Sequence, residues 1–153
     1  MTYTFDTTVL IGFGRNYPRD VFPTLWDTFE QSVDRGEVCA CQAVLDELER
    51  GTDELYDWAK RYPHLVCDAT QADIDLATEI SSAFPDWVRE DTNAGDPFVI
   101  AHAIVEDRTI VTDEKMAGRG VEPRNQKIPN VAAIYQVATI DFFGFARAEG
   151  WKF

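Results

Sequence analysis

The sequence predicts an α/β domain built on a largely parallel, five-stranded sheet. Short apolar runs alternate with stretches of helical periodicity along the whole chain, an order that favours strands joined by helical crossovers. The length of 153 residues suits one domain with a single core, and an apolar share of 45% with 4 Trp and 10 Phe argues against disorder. There is no internal repeat, low-complexity tract or domain-scale linker.

Tyr3 to Phe5 reads as the first strand, ending at Asp6. Phe22 to Arg35 reads as a helix, with Pro23 near its start and Gly36 at its stop. Val38 to Ala40 is the second strand, followed by helices over Gln42 to Arg50 and Asp53 to Arg61, the latter broken by Pro63. Leu65 to Cys67 is a short strand and Gln71 to Phe84 a helix. After a looser stretch from Pro85 to Gly95 comes a helix from Pro97 to Glu106, then a strand from Thr109 to Val111. A polar loop runs to about Pro129. A short helix, a strand from Val137 to Ile140 and a helix from Phe142 to Glu149 complete the chain.

Charge and cysteines narrow the function. A nucleic-acid binder relying on phosphate neutralisation is expected to be basic, and this chain carries a formal −13. Two escapes remain: a local basic patch, or metal ions held by clustered acids. Cys39, Cys41 and Cys67 are an odd number without metal-site spacing or a nearby His, and read as buried free thiols in a reducing compartment. No apolar stretch approaches a membrane span, and MTYTFDTTVLIGFG lacks the basic lead-in of a signal peptide. A cytoplasmic protein without membrane contact is the expectation.

Ligand sites in such sheets lie beyond the carboxyl ends of the strands, so the acids there matter most. Asp6 follows the first strand, and Asp113 and Glu114 follow the fourth. Capping would account for Asp6, since Asp-Thr-Thr can start a helix, and a solvated loop for the acidic pair. The helix QAVLDELERG is more telling. With Val44 at zero and about 100° per residue, Leu48 falls near +40° and Glu47 near −60°, inside the apolar arc. An inward carboxylate needs a partner, a proton or a cation.

Gly95-Asp96-Pro97 is a helix start on local chemistry, with Asp96 as the expected cap. The helix behind it is apolar on every face, so its start should lie inside the molecule or on the floor of a cleft. His102 on that helix reads as a core histidine. Four elements thus each offer one acid: Asp6, Glu47, Asp96, and Glu114 or Asp113. Unneutralised, four converging carboxylates would raise one another's pKa, and oxygen-only ligands suit Mg²⁺ or Mn²⁺. Metal-assisted phosphodiester cleavage uses such a site.

These residues resemble a PIN domain, the metal-dependent ribonuclease fold of VapC-like toxins and several RNA-processing nucleases. The similarity is carried by Phe5-Asp6-Thr7-Thr8 after the first strand, Glu47-Leu48 on a helix, and Asp96-Pro97-Phe98-Val99-Ile100-Ala101-His102-Ala103, with one extra residue before the Ile. The fourth motif is Val111-Thr112-Asp113-Glu114, where the usual Thr-x-Asp has become Thr-Asp-Glu. More narrowly, Tyr17-Pro18, Val21-Phe22-Pro23, Trp26, Lys127-Ile128-Pro129 and the closing Gly150-Trp151-Lys152-Phe153 resemble one PIN-like family of unassigned function.

The resemblance spans nearly the whole chain. It implies a three-layer helix-sheet-helix sandwich in which Asp6, Glu47, Asp96 and Glu114 are the catalytic metal ligands, with Asp113 the alternative fourth acid. Thr7 and Thr112 would orient carboxylates or water. It further implies a Mg²⁺- or Mn²⁺-dependent endoribonuclease, the toxin of a toxin–antitoxin pair with an antitoxin protein as partner; a homodimer is compatible with it. Arg15, Arg19, Lys115, Arg119, Arg124 and Lys127 are the residues expected to hold RNA phosphates, against the simpler reading that they balance an acidic surface. Two other functions compete: a PIN-like module that binds RNA or protein without cutting, and phosphoryl chemistry on Asp6. The second is disfavoured by Thr8, where phosphatases of this general fold carry another Asp.

Overall fold

A computed structural model describes residues 1–51, 53–89 and 93–153, Asp53 in its backbone alone. The strands are β1 (Tyr3–Phe5), β2 (Val38–Cys41), β3 (Val66–Cys67), β4 (Thr109–Val111) and β5 (Thr139–Ile140). The helices are α1 (Thr7–Asn16), α2 (Pro23–Asp34), α3 (Gln42–Gly51), α4 (Asp53–Lys60), α5 (Gln71–Ala83), α6 (Asp96–Val105), α7 (Ile128–Ile134) and α8 (Phe142–Ala148). The strands form one sheet in the order β3-β2-β1-β4-β5, and every pairing is parallel. This is the expected α/β sandwich. Residues 90–92 of the looser stretch lie outside the described residues.

The period-two alternation of β1 assigns its two faces. Tyr3 and Phe5 point to one side, where Phe145 of α8 meets both rings edge-on at 4.8 and 5.0 Å, and Phe29 of α2 lies 5.3 Å from Phe5. Phe13 of α1 extends this cluster to Phe29, Trp26 and Phe142, with centroids 4.5 to 5.2 Å apart. Thr4 points to the other side, which α6 covers, touching β1, β2 and β4 with α5 packed outside it.

A 3-10 turn over Pro123–Asn125 falls within the expected polar loop. Helix α1 is not among the expected helices, although Asp-Thr-Thr offers it a start. Its stretch TTVLIGFGRN carries two glycines and β-branched residues, a poor helix on propensity. Tertiary contact prevails: Val9, Leu10 and Phe13 are buried, and Asp6 caps the first turn through a 2.7 Å bond from the Thr7 N–H. Helix α6 is buried over most of its length, as expected, and emerges at Val105, which is 39% exposed.

Candidate functional site

Strand order reverses between β1 and β4, and the crevice beyond their carboxyl ends is where open parallel sheets place ligands. Asp6 leaves β1 there and Thr112-Asp113-Glu114 leave β4. The Asp6 carboxylate is buried and tightly held. Besides the Thr7 N–H it accepts hydroxyl bonds from Thr8 at 2.8 Å and Thr112 at 2.9 Å. Burial raises its pKa, and those hydroxyls partly offset the effect. The Thr112 Oγ1 also accepts the Glu114 N–H at 3.1 Å, so one hydroxyl fixes both sides of the crevice.

Glu114 turns into the site while its Oε2 accepts the Ile128 N–H at 2.8 Å, which ties it to the first turn of α7. Its pKa is raised by burial, then by the Asp6 charge. Glu47 is half-buried on α3 and is raised by burial and by Asp6. Its carboxylate lies directly against Gly95, where any β-carbon would collide with Glu47 Oε1.

Asp96 departs from its expected role. The cap of α6 is Gly95, and Asp96 occupies the first helical position with Pro97 behind it. Among the described residues no hydrogen-bond donor pairs with its carboxylate, although the residue is only 8% exposed. Its pKa is pushed up to about 8, first by burial and then by the charges of Asp6, Glu114 and Glu47, with Lys127 opposing. A carboxyl group without a cap to serve, facing three others, would hold a proton at neutral pH unless a cation replaced it.

Asp113, the alternative fourth acid, faces elsewhere. Its Oδ2 would meet a β-carbon on Gly12 of α1, and its pKa is raised by burial, then Asp141, then Asp6. It lines a groove of about 480 Å³ together with Thr112, Glu114, Lys115, Asp141 and Phe142, so this groove adjoins the crevice rather than lying apart from it. Thr7 is buried beside Glu47 and lowers its pKa somewhat, but its hydroxyl has no formed hydrogen bond. Thr8, part of the Asp-Thr-Thr motif but not assigned a supporting role, donates its hydroxyl to Asp6 Oδ2. The signal was present in the second hydroxyl of Asp-Thr-Thr. Gly95, likewise unremarked as a site residue, sits where only a glycine leaves room for Glu47.

The six basic residues disperse. Lys127 is close enough to lower the pKa of Asp96 and of Glu114, and Lys115 lines the Asp113 groove. Arg15 and Arg19 line a different groove with Trp26, Trp58 and Arg61. Arg19 is paired with Glu30 and stacks 4.9 Å over the Trp26 ring, and Arg124 bonds Glu122 at 2.7 Å. Arg119 is exposed.

The four acids suit a hard divalent ion by chemistry: every donor is a carboxylate oxygen, and ionising all four together is opposed by their mutual repulsion. Among the described residues, no three of these carboxylates bring ligand atoms within 4.8 Å of one another.

Sheet order and the three-layer arrangement match the sandwich that the PIN resemblance implies, with the acidic crevice at its switch point. A chain in the crystal structure of VapBC2 from Rickettsia felis, bound to a DNA fragment from their promoter, has the same fold. It superposes with a TM-score of 0.56 at 15% identity, covering 93% of this chain and 99% of that one. Residues 3–153 match the family model described as Domain of unknown function (DUF4411), and the chain belongs to that family. No curated protein matches the sequence.

Proposed function

We propose that this chain is a Mg²⁺- or Mn²⁺-dependent endoribonuclease and the toxin of a toxin–antitoxin pair. The observation that carries the reading is Asp96: a buried carboxyl at about pKa 8, surrounded by acids from three other elements at the sheet's switch point. Asp6, Glu47, Asp96 and Glu114 are the residues that would hold the ion. When bound, the ion would supply Lewis-acid activation of water and charge stabilisation at the phosphodiester.

The chain's own residues divide the remaining work. Thr8, Thr112 and the Thr7 N–H fix one Asp6 geometry, and the Ile128 N–H fixes that of Glu114. Thr7 and Thr112 keep their proposed supporting roles, Thr7 toward Glu47. Lys127 and Lys115 are the best-placed cations for substrate phosphates; Arg15, Arg19, Arg119 and Arg124 would contact RNA only further along its path. An antitoxin protein is proposed by likeness to VapBC2, and a homodimer of this chain is compatible with the resemblance.

The test is metal-dependent cleavage of RNA by the purified chain and by Asp6→Asn and Asp96→Asn. Loss of cleavage in both variants supports the proposal, and unchanged activity refutes it. The dispersal of the basic residues favours one competing reading, a PIN-like module that binds RNA or protein without cutting. Thermal melts discriminate, because an ion that binds the native state raises the midpoint. No rise with Mg²⁺ or Mn²⁺ would favour the inert module.

A further inference from the structure

On the α5–α6 side of the sheet, three side chains far apart in sequence converge. Cys39 of β2, Cys67 of β3 and His102 of α6 bring their ligand atoms within 4.8 Å of one another. The Cys39 sulfur lies 3.2 Å from His102 Nε2. Cys39 and His102 are buried, Cys67 is half-buried, and all three cysteines are free thiols. Behind the histidine, Asp73 of α5 is 2% exposed, and its Oδ1 lies 3.8 Å from His102 Nδ1. The other oxygen of Asp73 accepts from the Thr70 N–H and hydroxyl, whereas Oδ1 has no hydrogen-bond partner among the described residues.

We propose that Cys39, Cys67 and His102 are the protein ligands of a Zn²⁺ site, distinct from the acidic crevice, with Asp73 orienting the histidine. Two thiols and one imidazole nitrogen form a soft donor set that suits zinc and disfavours Mg²⁺. A tetrahedral ion with zinc–sulfur bonds of ~2.3 Å and zinc–nitrogen bonds of ~2.0 Å needs ligand atoms roughly 3.5 to 3.8 Å apart; the Cys39–His102 separation of 3.2 Å would open slightly, and every pair already lies within 4.8 Å. Zinc-bound histidines usually direct their second nitrogen at a carboxylate, which is where the unpartnered Asp73 oxygen stands.

A cavity of about 380 Å³, lined by Cys41, Cys67, Asp73, Phe98 and His102, adjoins two of the three ligands and gives an ion a way in. Ligation sends the thiol protons to solvent, so affinity rises with pH. Once bound, zinc would clamp α6 to the β2–β3 edge. His102 lies six residues beyond Asp96, about 9 Å along the helix axis, so the clamp steadies the helix that carries the acid.

The experiment uses the full chain, reduced and stripped of metal by chelation. Adding Co²⁺ alone should produce a thiolate-to-cobalt charge-transfer band, which one equivalent of Zn²⁺ alone should abolish while raising the melting midpoint. Cys39→Ser, Cys67→Ser and His102→Gln, checked for folding by circular dichroism, should lose or strongly weaken the band. Asp73→Asn should lower zinc affinity by roughly 10- to 100-fold. Cys41→Ser and Asp6→Asn should retain the band, which separates this site from the acidic one. X-ray absorption at the zinc edge of the wild-type chain needs no variant and should show sulfur neighbours at ~2.3 Å. A cobalt complex without the charge-transfer band, a band that survives both Cys39→Ser and Cys67→Ser, or a zinc shell of oxygen and nitrogen alone overturns the proposal.

Discussion

Replacing Asp96 by Asn should stabilise the metal-free protein, and by an amount that depends on pH. The carboxyl pKa rises from an ordinary 3.8 to about 8 on folding. Between those values the native state keeps a proton that the unfolded chain has lost, so stability falls as pH rises through this window. The slope is at most about 1.4 kcal/mol per pH unit, and the full penalty above pH 8 is about 5–6 kcal/mol. Asp6, Glu47 and Glu114 share the repulsion, and a buried amide keeps some desolvation cost, so Asn should return roughly half, about 3 kcal/mol. For a domain of this size that is roughly 6–12 °C in melting midpoint at pH 8. At pH 5 the gain should shrink to about 2 °C, since there the native carboxyl is already protonated. The assay is a series of thermal melts in EDTA from pH 5 to 8.5, wild type against Asp96→Asn, repeated with Mn²⁺. A wild-type midpoint that stays flat or climbs over this range would refute the reasoning, as would a variant equally advantaged at pH 5 and pH 8.

Gly95→Ala should leave the melting midpoint within a few degrees, because the Gly95 backbone already has φ −83° and ψ −20° and Glu47 can swing away. It should nonetheless weaken Mn²⁺ binding and RNA cleavage by about tenfold or more, by analogy with the misplacement of other site-supporting groups; cleavage at the wild-type rate would contradict the placement of Glu47. Thr112→Val removes a bond to Asp6 and orphans the Glu114 N–H, and should cost about 1–3 kcal/mol in denaturant melts. Phe29→Ala empties the centre of the aromatic cluster on the Tyr3/Phe5 face and should cost about 3–5 kcal/mol by the same measurement, with no change in Zn²⁺ affinity on the opposite face.

Much of the scaffold could be read from the residues because apolar periodicity and turn chemistry agree along most of the chain. Five strands and the helices after β2 were placed to within a residue or two, except that β5 is confined to Thr139–Ile140. Helix α1 escaped because local propensity opposes it and only burial of Val9, Leu10 and Phe13 supports it. Glu47 announced itself by falling inside an apolar arc. The cap expected at Asp96 is instead Gly95, and Asp96 takes the first helical position, a one-residue shift that local helix-start chemistry does not resolve. The Cys39–Cys67–His102 cluster was invisible because nothing in sequence spacing reports that β2, β3 and α6 meet. The ion pairs of Arg19 and Arg124 were hidden for the same reason.

The position of β1 at the middle of the sheet governs when the crevice can exist. Its outer neighbour β4 begins at residue 109, and Glu114 is anchored only once Ile128 is available. A nascent chain therefore carries Asp6 from its first moments of synthesis but cannot close the ring of acids until more than four-fifths of its length has been made. Such distant pairing slows folding. Under the proposed function, truncated or stalled translation products would lack the completed crevice, and an inhibitor that recognises it would have nothing to bind until the first turn of α7 has been made.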